Sequence, residues 1–129
     1  MREALERGVA LFNQGKFWEA HEAWEEAWLE QEDERKLFLQ GLIQVSAGFF
    51  KATVQNQPSG CVKLLGAGLE KLAPLPDSYQ GVELLRFRAA VLRSLAQARC
   101  WLAGEASGVV REEIPLLELL DTERNPGVS

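Results

Sequence analysis

The chain has 129 residues, enough for one domain with a genuine hydrophobic core and no need of disulfide staples. Hydrophobic residues make up 47% and charged residues 26%, the balance of a soluble globular protein, and no basic leader with a small-residue cleavage site opens the chain. The net charge of −5 argues against a general nucleic-acid binder, which carries a basic face.

A first helix is expected over Met1 to Asn13, where Ala4, Leu5, Gly8, Val9, Leu11 and Phe12 recur at helical spacing. Asn13, Gln14 and Gly15 form a stop, because glycine readily takes the left-handed conformation after a helix end. A second helix follows from about Phe17 to Gln31. Its apolar stripe is Phe17, Ala20, Trp24, Ala27 and Trp28, with Glu19, Glu26 and Glu30 opposite in water. His21, Glu22 and Glu25 fall on the flank between these faces, beside Trp18 and Leu29.

Glu32, Asp33 and Glu34 supply a bend and an acidic first turn, where the helix dipole favours carboxylates. The third helix, from about Glu34 to Gln55, is apolar nearly all round and so reads as the central, buried one. Its most apolar run, Leu37 to Val54, is interrupted by Gln40, Gln44, Ser46 and Lys51. That falls short of the roughly 20 mostly apolar residues of a membrane span, so no membrane partner and a cytoplasmic location are expected. One line along the helix is small or polar: Gln40, Gly41, Gln44, Ala47, Gly48 and Lys51. Such a line lets a neighbouring helix come close, and its two glutamines then need partners, since unpaired buried amides are costly.

Asn56, Gln57 and Pro58 break the chain, and Ser59 is the expected cap of a fourth helix to about Leu72. Pro74 to Asp77 is a loop. A fifth helix is expected over Gly81 to Leu102, with Leu84, Leu85, Phe87, Val91, Leu92, Leu95 and Ala98 facing inward and Gly104 ending it. Arg86, Arg88, Arg93 and Arg99 make this helix basic, expected as a solvated face that attracts acidic helices within or between chains, with an anionic ligand on the arginines as the alternative. Cys61 and Cys100, with no CxxC spacing, read as small buried hydrophobes in a reducing compartment. Ile114-Pro115-Leu116-Leu117 is expected to lie extended over the bundle, because proline interrupts a helix.

The architecture so predicted is all-α: a compact bundle of about five helices over residues 1–120, with 121–129 as a loose tail. The Gly15, Phe17, Ala20, Trp24, Ala27 pattern gives the first pair a tetratricopeptide look. A shift of about 41 residues matches Ala20 with Cys61, Trp24 with Leu65 and Ala27 with Gly68, too few units for a solenoid.

Several of these residues also resemble a family signature. Phe12-Asn13-x-Gly15-x-Phe17-x-Glu19-Ala20-His21-Glu22, then Trp24-Glu25 and Trp28, then Leu39-Gln40-Gly41-Leu42-Ile43-Gln44, resemble Domain of Unknown Function family three hundred and nine, small all-helical prokaryotic proteins. Gly60-Cys61-x-x-Leu64-Leu65 is similar to that family's glycine–alanine–leucine helix, with cysteine for alanine. The likeness covers about Glu3 to Leu72. It implies a helical bundle and no established activity.

The candidate site is a polar cluster: His21, Glu22 and Glu25 facing Gln40 and Gln44, with Trp18, Trp24 and Trp28 as an apolar wall. Two classes of function stay open. One is a binding or interaction module that takes a small ligand or forms a homodimer. The other is a small enzyme in which His21 and Glu25 bind a divalent metal, with Glu22 adjacent, or a carboxylate among tryptophans acts as general acid or base. Against the metal stand the lone histidine and the missing HExxH spacing. A third alternative is a sealed joint in which the histidine and glutamates satisfy the two glutamines across the helix crossing, and the balance of residues favours it.

Overall fold

The computed structural model describes residues 1–120; the expected tail at 121–129 lies outside them. Five helices follow one another, α1 (Arg2–Asn13), α2 (Phe17–Trp28), α3 (Asp33–Thr53), α4 (Pro58–Leu72) and α5 (Leu85–Leu102), with two short strands, β1 (Ser78–Tyr79) and β2 (Val82–Glu83), before the last. The fold is the expected all-α bundle. One cluster of buried side chains runs from Leu5 to Leu117.

Gly15 turns α1 into α2. It stands at φ +79°, and it and Lys16 donate their amides back to Phe12 and Leu11 at 2.9 Å. The helices then run antiparallel, with Phe12 against Phe17 at 5.1 Å and Trp24 far down the pair against Gly8. The Trp24 indole N–H donates to the Leu5 carbonyl at 3.1 Å, and the side chain is fully buried. No β-carbon fits at position 8: it would stand 2.1 Å from Trp24 Nε1. Trp24 is therefore core and no part of the wall expected beside His21. Helix α2 stops at Trp28, short of the expected Gln31, though Leu29 keeps helical angles. Asp33 takes the left-handed conformation (φ 56°) as α3 begins.

Helix α3 lies between α2 and α4 and is the buried central helix. On one side Ser46 donates its hydroxyl to the Phe17 carbonyl at 2.6 Å. On the other, glycines let α4 in. A β-carbon on Gly41 or Gly48 would stand 2.7 and 2.8 Å from the Leu72 and Leu65 side chains, and one on Gly68 would meet Val45 at 2.6 Å. The small line of α3 thus receives α4, where the sequence suggested the flank of α2. Gln57 precedes α4 and Pro58 sits in its first turn; Ser59 makes no capping bond. Cys61 is buried, which pushes its thiol up to about 11.

Two corrections fall on α5. Gln80 and Gly81, both at positive φ, form a tight turn between β1 and β2, so the helix begins at Leu85 and Gly81 lies outside it. Leu84, Phe87, Val91, Leu95 and Ala98 face the core, but Leu85 and Leu92 are exposed, as is Cys100. Arg88 closes the α4 end by donating to the Leu72 and Leu75 carbonyls at 3.1 Å. Beyond α5 the chain turns, forms a short 3-10 helix at Arg111–Glu113 and returns from Ile114 as an extended strap, as the proline predicted. The Asn13 side chain grips it, accepting from the Leu117 amide at 2.8 Å and donating to the Leu117 carbonyl at 2.9 Å.

Two glycine substitutions separate packing from propensity. Gly8→Ala should destabilise the fold by about 1–3 kcal/mol through overpacking against Trp24. Gly66→Ala, where nothing lies within 4 Å, should stabilise by about 0.5–1 kcal/mol. Urea unfolding of the two variants reads the sign of each.

Candidate functional site on the outer face of α2

At 3.6 residues per turn, α2 can bury only one stripe. With Phe17, Ala20, Ala23, Trp24 and Ala27 inside, residues 18, 22, 25 and 29 must line the outside. Glu22 and Glu25 suit that place. Trp18 and Leu29 do not, and they remain 43% and 72% exposed at the two ends of the line.

His21 lies at the edge of this face and is mostly covered. The Trp18 ring stacks on it, with centroids 4.5 Å apart and planes at 22°, and leans on Phe50 of α3 at 5.1 Å. His21 Nε2 stands 3.6 Å from a Glu25 carboxylate oxygen, an ion pair only when the imidazole is protonated. His21 Nδ1 is buried without a hydrogen-bond partner. So are Trp28 Nε1 and Gln44 Oε1.

The expected constellation is therefore brought together in part. Trp18 and Glu25 each touch His21, and Glu22 lies beside them on the outer face. Among the described residues no hydrogen bond links His21, Glu22 or Glu25 to Gln40 or Gln44. A reason lies in the phase of α3. Gly41 and Gly48 face α4, and Gln44 stands only about 60° from that line. Gln44 therefore lies nearer the α4 side than the side from which Ser46 reaches α2, and the sealed hydrogen-bonded joint does not form.

Trp28 has a contact that sequence reasoning missed. The Lys36 ammonium lies over its ring at 4.6 Å, a cation–π pair. The available signal was a lysine just past the acidic bend that returns the chain toward α2. Beside this pair a cleft of about 640 Å³ is lined by Glu22, Glu25, Glu26, Trp28 and Leu29. All five belong to α2 and its end, so the cleft is an open concavity on the outer face. The face is acidic throughout: Glu19, Glu22, Glu25, Glu26 and Glu30 are all exposed. Among the described residues only Glu26 meets an arginine there, Arg7 at 3.0 Å.

Chemically, the arrangement offers carboxylates and aromatic faces to a cation, and few donors to a metal. Among the described residues, no group of three or more His, Cys, Asp or Glu side chains is placed to hold a metal ion. Two substitutions test how little of the cluster is structural. Gln44→Leu removes a buried unpaired acceptor and should leave stability unchanged or raise it by up to about 1 kcal/mol. His21→Ala should cost about 0.5–1.5 kcal/mol, the worth of its stack on Trp18. Losses of 3 kcal/mol or more in thermal or urea unfolding would indicate the sealed network (roughly what stranded buried partners cost).

No helix among the described residues is long and apolar enough to cross a membrane. An uncharacterized protein of Aquifex aeolicus (strain VF5) is similar to this chain, 32% identical over 88 residues. That stretch is 67% of this chain and 26% of the relative, so the chain spans about a quarter of the length of the relative it matches. The family pattern matches residues 5–64, from α1 into α4. Over residues 5–64, then, the chain is similar to the family described as Domain of unknown function (DUF309), the likeness that the EAHE, tryptophan and LQGLIQ residues imply.

Proposed function

We propose that residues 1–120 form a binding module whose receiving surface is the outer face of α2, and that its partner is both cationic and apolar. The observation carrying this reading is the exposure of Trp18 and Leu29 at opposite ends of a line of carboxylates. A solvated helix face is normally polar along its length. Large apolar side chains rimmed by charge mark interaction surfaces, and tryptophan is the side chain that most often anchors them. Trp28 supports the cationic part, because its ring already holds the Lys36 ammonium. In this reading Trp18, His21, Glu22, Glu25 and Trp28 meet the partner, with Gln40 and Gln44 at the α3 border.

Metal-dependent or acid–base chemistry through His21, Glu22 and Glu25 is the weaker reading. It has two donors at 3.6 Å from one another, and Glu25 is half exposed instead of being enclosed by tryptophan. A partner surface needs neither enclosure nor a third donor.

The test is a titration followed by tryptophan emission. The probe is a synthetic amphipathic helical peptide bearing leucine on one face and arginine along its edges. Its control is a scrambled peptide of the same composition. A saturable change with the amphipathic peptide alone, weakened by added salt, is expected. Trp18→Ala should lower the affinity about tenfold or more, equivalent to about 1.4 kcal/mol. Equal responses to the two peptides, or full affinity in Trp18→Ala, would overturn the reading.

A further inference from the structure

We infer that the partner is a second copy of this chain, whose α5 lays its own outer face along the outer face of α2. The inference rests on the reading of α2 as a receiving surface and adds an occupant to it. Its starting point is the finding that Leu85 and Leu92 are 54% and 56% exposed on a helix whose other large apolar residues are mostly buried. With Ala89 and Ala96, also exposed, they form a line at positions i, i+4, i+7 and i+11. Trp18, Glu22, Glu25 and Leu29 stand at the same four intervals on α2. At 1.5 Å per residue both lines run about 16 Å, so the two faces match in length and in turn spacing.

They match in charge as well. The α5 line is bordered by Arg93 on one side and Arg99 on the other. Neither has an ion pair or hydrogen bond among the described residues, whereas Arg86 and Arg88 are engaged within the chain, with Glu83 and Glu118 and with the α4 end. On α2, among the described residues, the Glu22 side chain has no partner and that of Glu25 has only His21. With the two lines antiparallel, Ala96 leaves room for Trp18 and Leu85 meets Leu29. Pairing α5 with α5 would set arginines against arginines, and pairing α2 with α2 would set glutamates against glutamates. Of these pairings, α2 with α5 of another copy alone brings opposite charges together, and like-charge juxtaposition is what excludes wrong partners. The contact is heterologous, so it either closes as a reciprocal pair or propagates. One helix face on another is a small interface, and the association is correspondingly weak.

Light scattering with size-exclusion chromatography on the whole chain tests this, from micromolar to about millimolar protein, the range in which weak contacts populate. The expected result is a mass that climbs above 14.4 kDa with concentration and falls back when salt is added. Arg93→Glu with Arg99→Glu should give a monomer, and so should Glu22→Arg with Glu25→Arg. All four positions are exposed, so unchanged circular dichroism confirms that both variants fold. Mixing the two variants should restore the larger mass, because each then meets an oppositely charged face. Wild type that stays at 14.4 kDa throughout, or association that survives the α2 reversal, would overturn the inference. The amphipathic-peptide titration, run on the monomeric Arg93→Glu/Arg99→Glu protein, separates the two levels. Peptide binding without self-association sinks only the identity of the partner; failure of both sinks the α2 surface itself.

Discussion

The placement of Trp24 against Gly8 is the constraint on which the rest depends. The indole fills the space that a β-carbon would need and gives its N–H to the Leu5 carbonyl, so α1 and α2 have one relative register. A helix whose buried stripe is fixed has its exposed stripe fixed too. Once Trp24, Ala20 and Phe17 are inside, Trp18 and Leu29 have nowhere to go but out. The surface that makes α2 unusual is therefore a consequence of how its opposite side packs, and every residue on it can change without touching the core.

The same logic orders the centre of the bundle. Gly41, Gly48 and Gly68 bring α3 and α4 close enough that backbone and leucine side chains meet directly. That approach fixes the rotation of α3, and with it the direction of its polar residues. Ser46 is turned toward α2 and satisfied by the Phe17 carbonyl. Gln44 is left with a buried carbonyl oxygen and no partner. A buried polar atom left unpaired lowers stability. The unpaired His21 and Trp28 nitrogens on α2 belong to the same class.

Much of this was legible in the residues. Helical periodicity located all five helices, and Gly15 and Gly104 marked two of their ends, both at positive φ. The weak 41-residue echo also had a physical basis: Ala20, Trp24, Ala27, Cys61, Leu65 and Gly68 are all buried, on the two helices that flank α3. What sequence could not supply was phase. On α3 the glycines and glutamines fall on one broad line, and only contact with α4 separates the glycine edge from the glutamine edge. On α5 the apolar residues come in adjacent pairs, Leu84-Leu85 and Val91-Leu92, and both members of each pair read as core, so Leu85 and Leu92 looked buried. The β1–β2 turn was missed because Gln80-Gly81 is a less familiar form of the left-handed dipeptide that such turns require. The expected cluster on α2 keeps its Trp18–His21 and His21–Glu25 contacts, while its expected hydrogen bonds to Gln40 and Gln44 are absent among the described residues.

In the proposed reading the outer faces of α2 and α5 are working surfaces held in place by the packing behind them. Amide chemical shifts across a dilution series of the ¹⁵N-labelled chain test it most directly, residue by residue. The account predicts concentration-dependent shifts along Trp18, Glu22, Glu25 and Leu29 and along Leu85, Ala89, Leu92 and Ala96, with Leu5, Trp24 and Phe49 in the core unmoved. Shifts that stay flat over the whole series, or that gather on α1 or α4 instead, would contradict it.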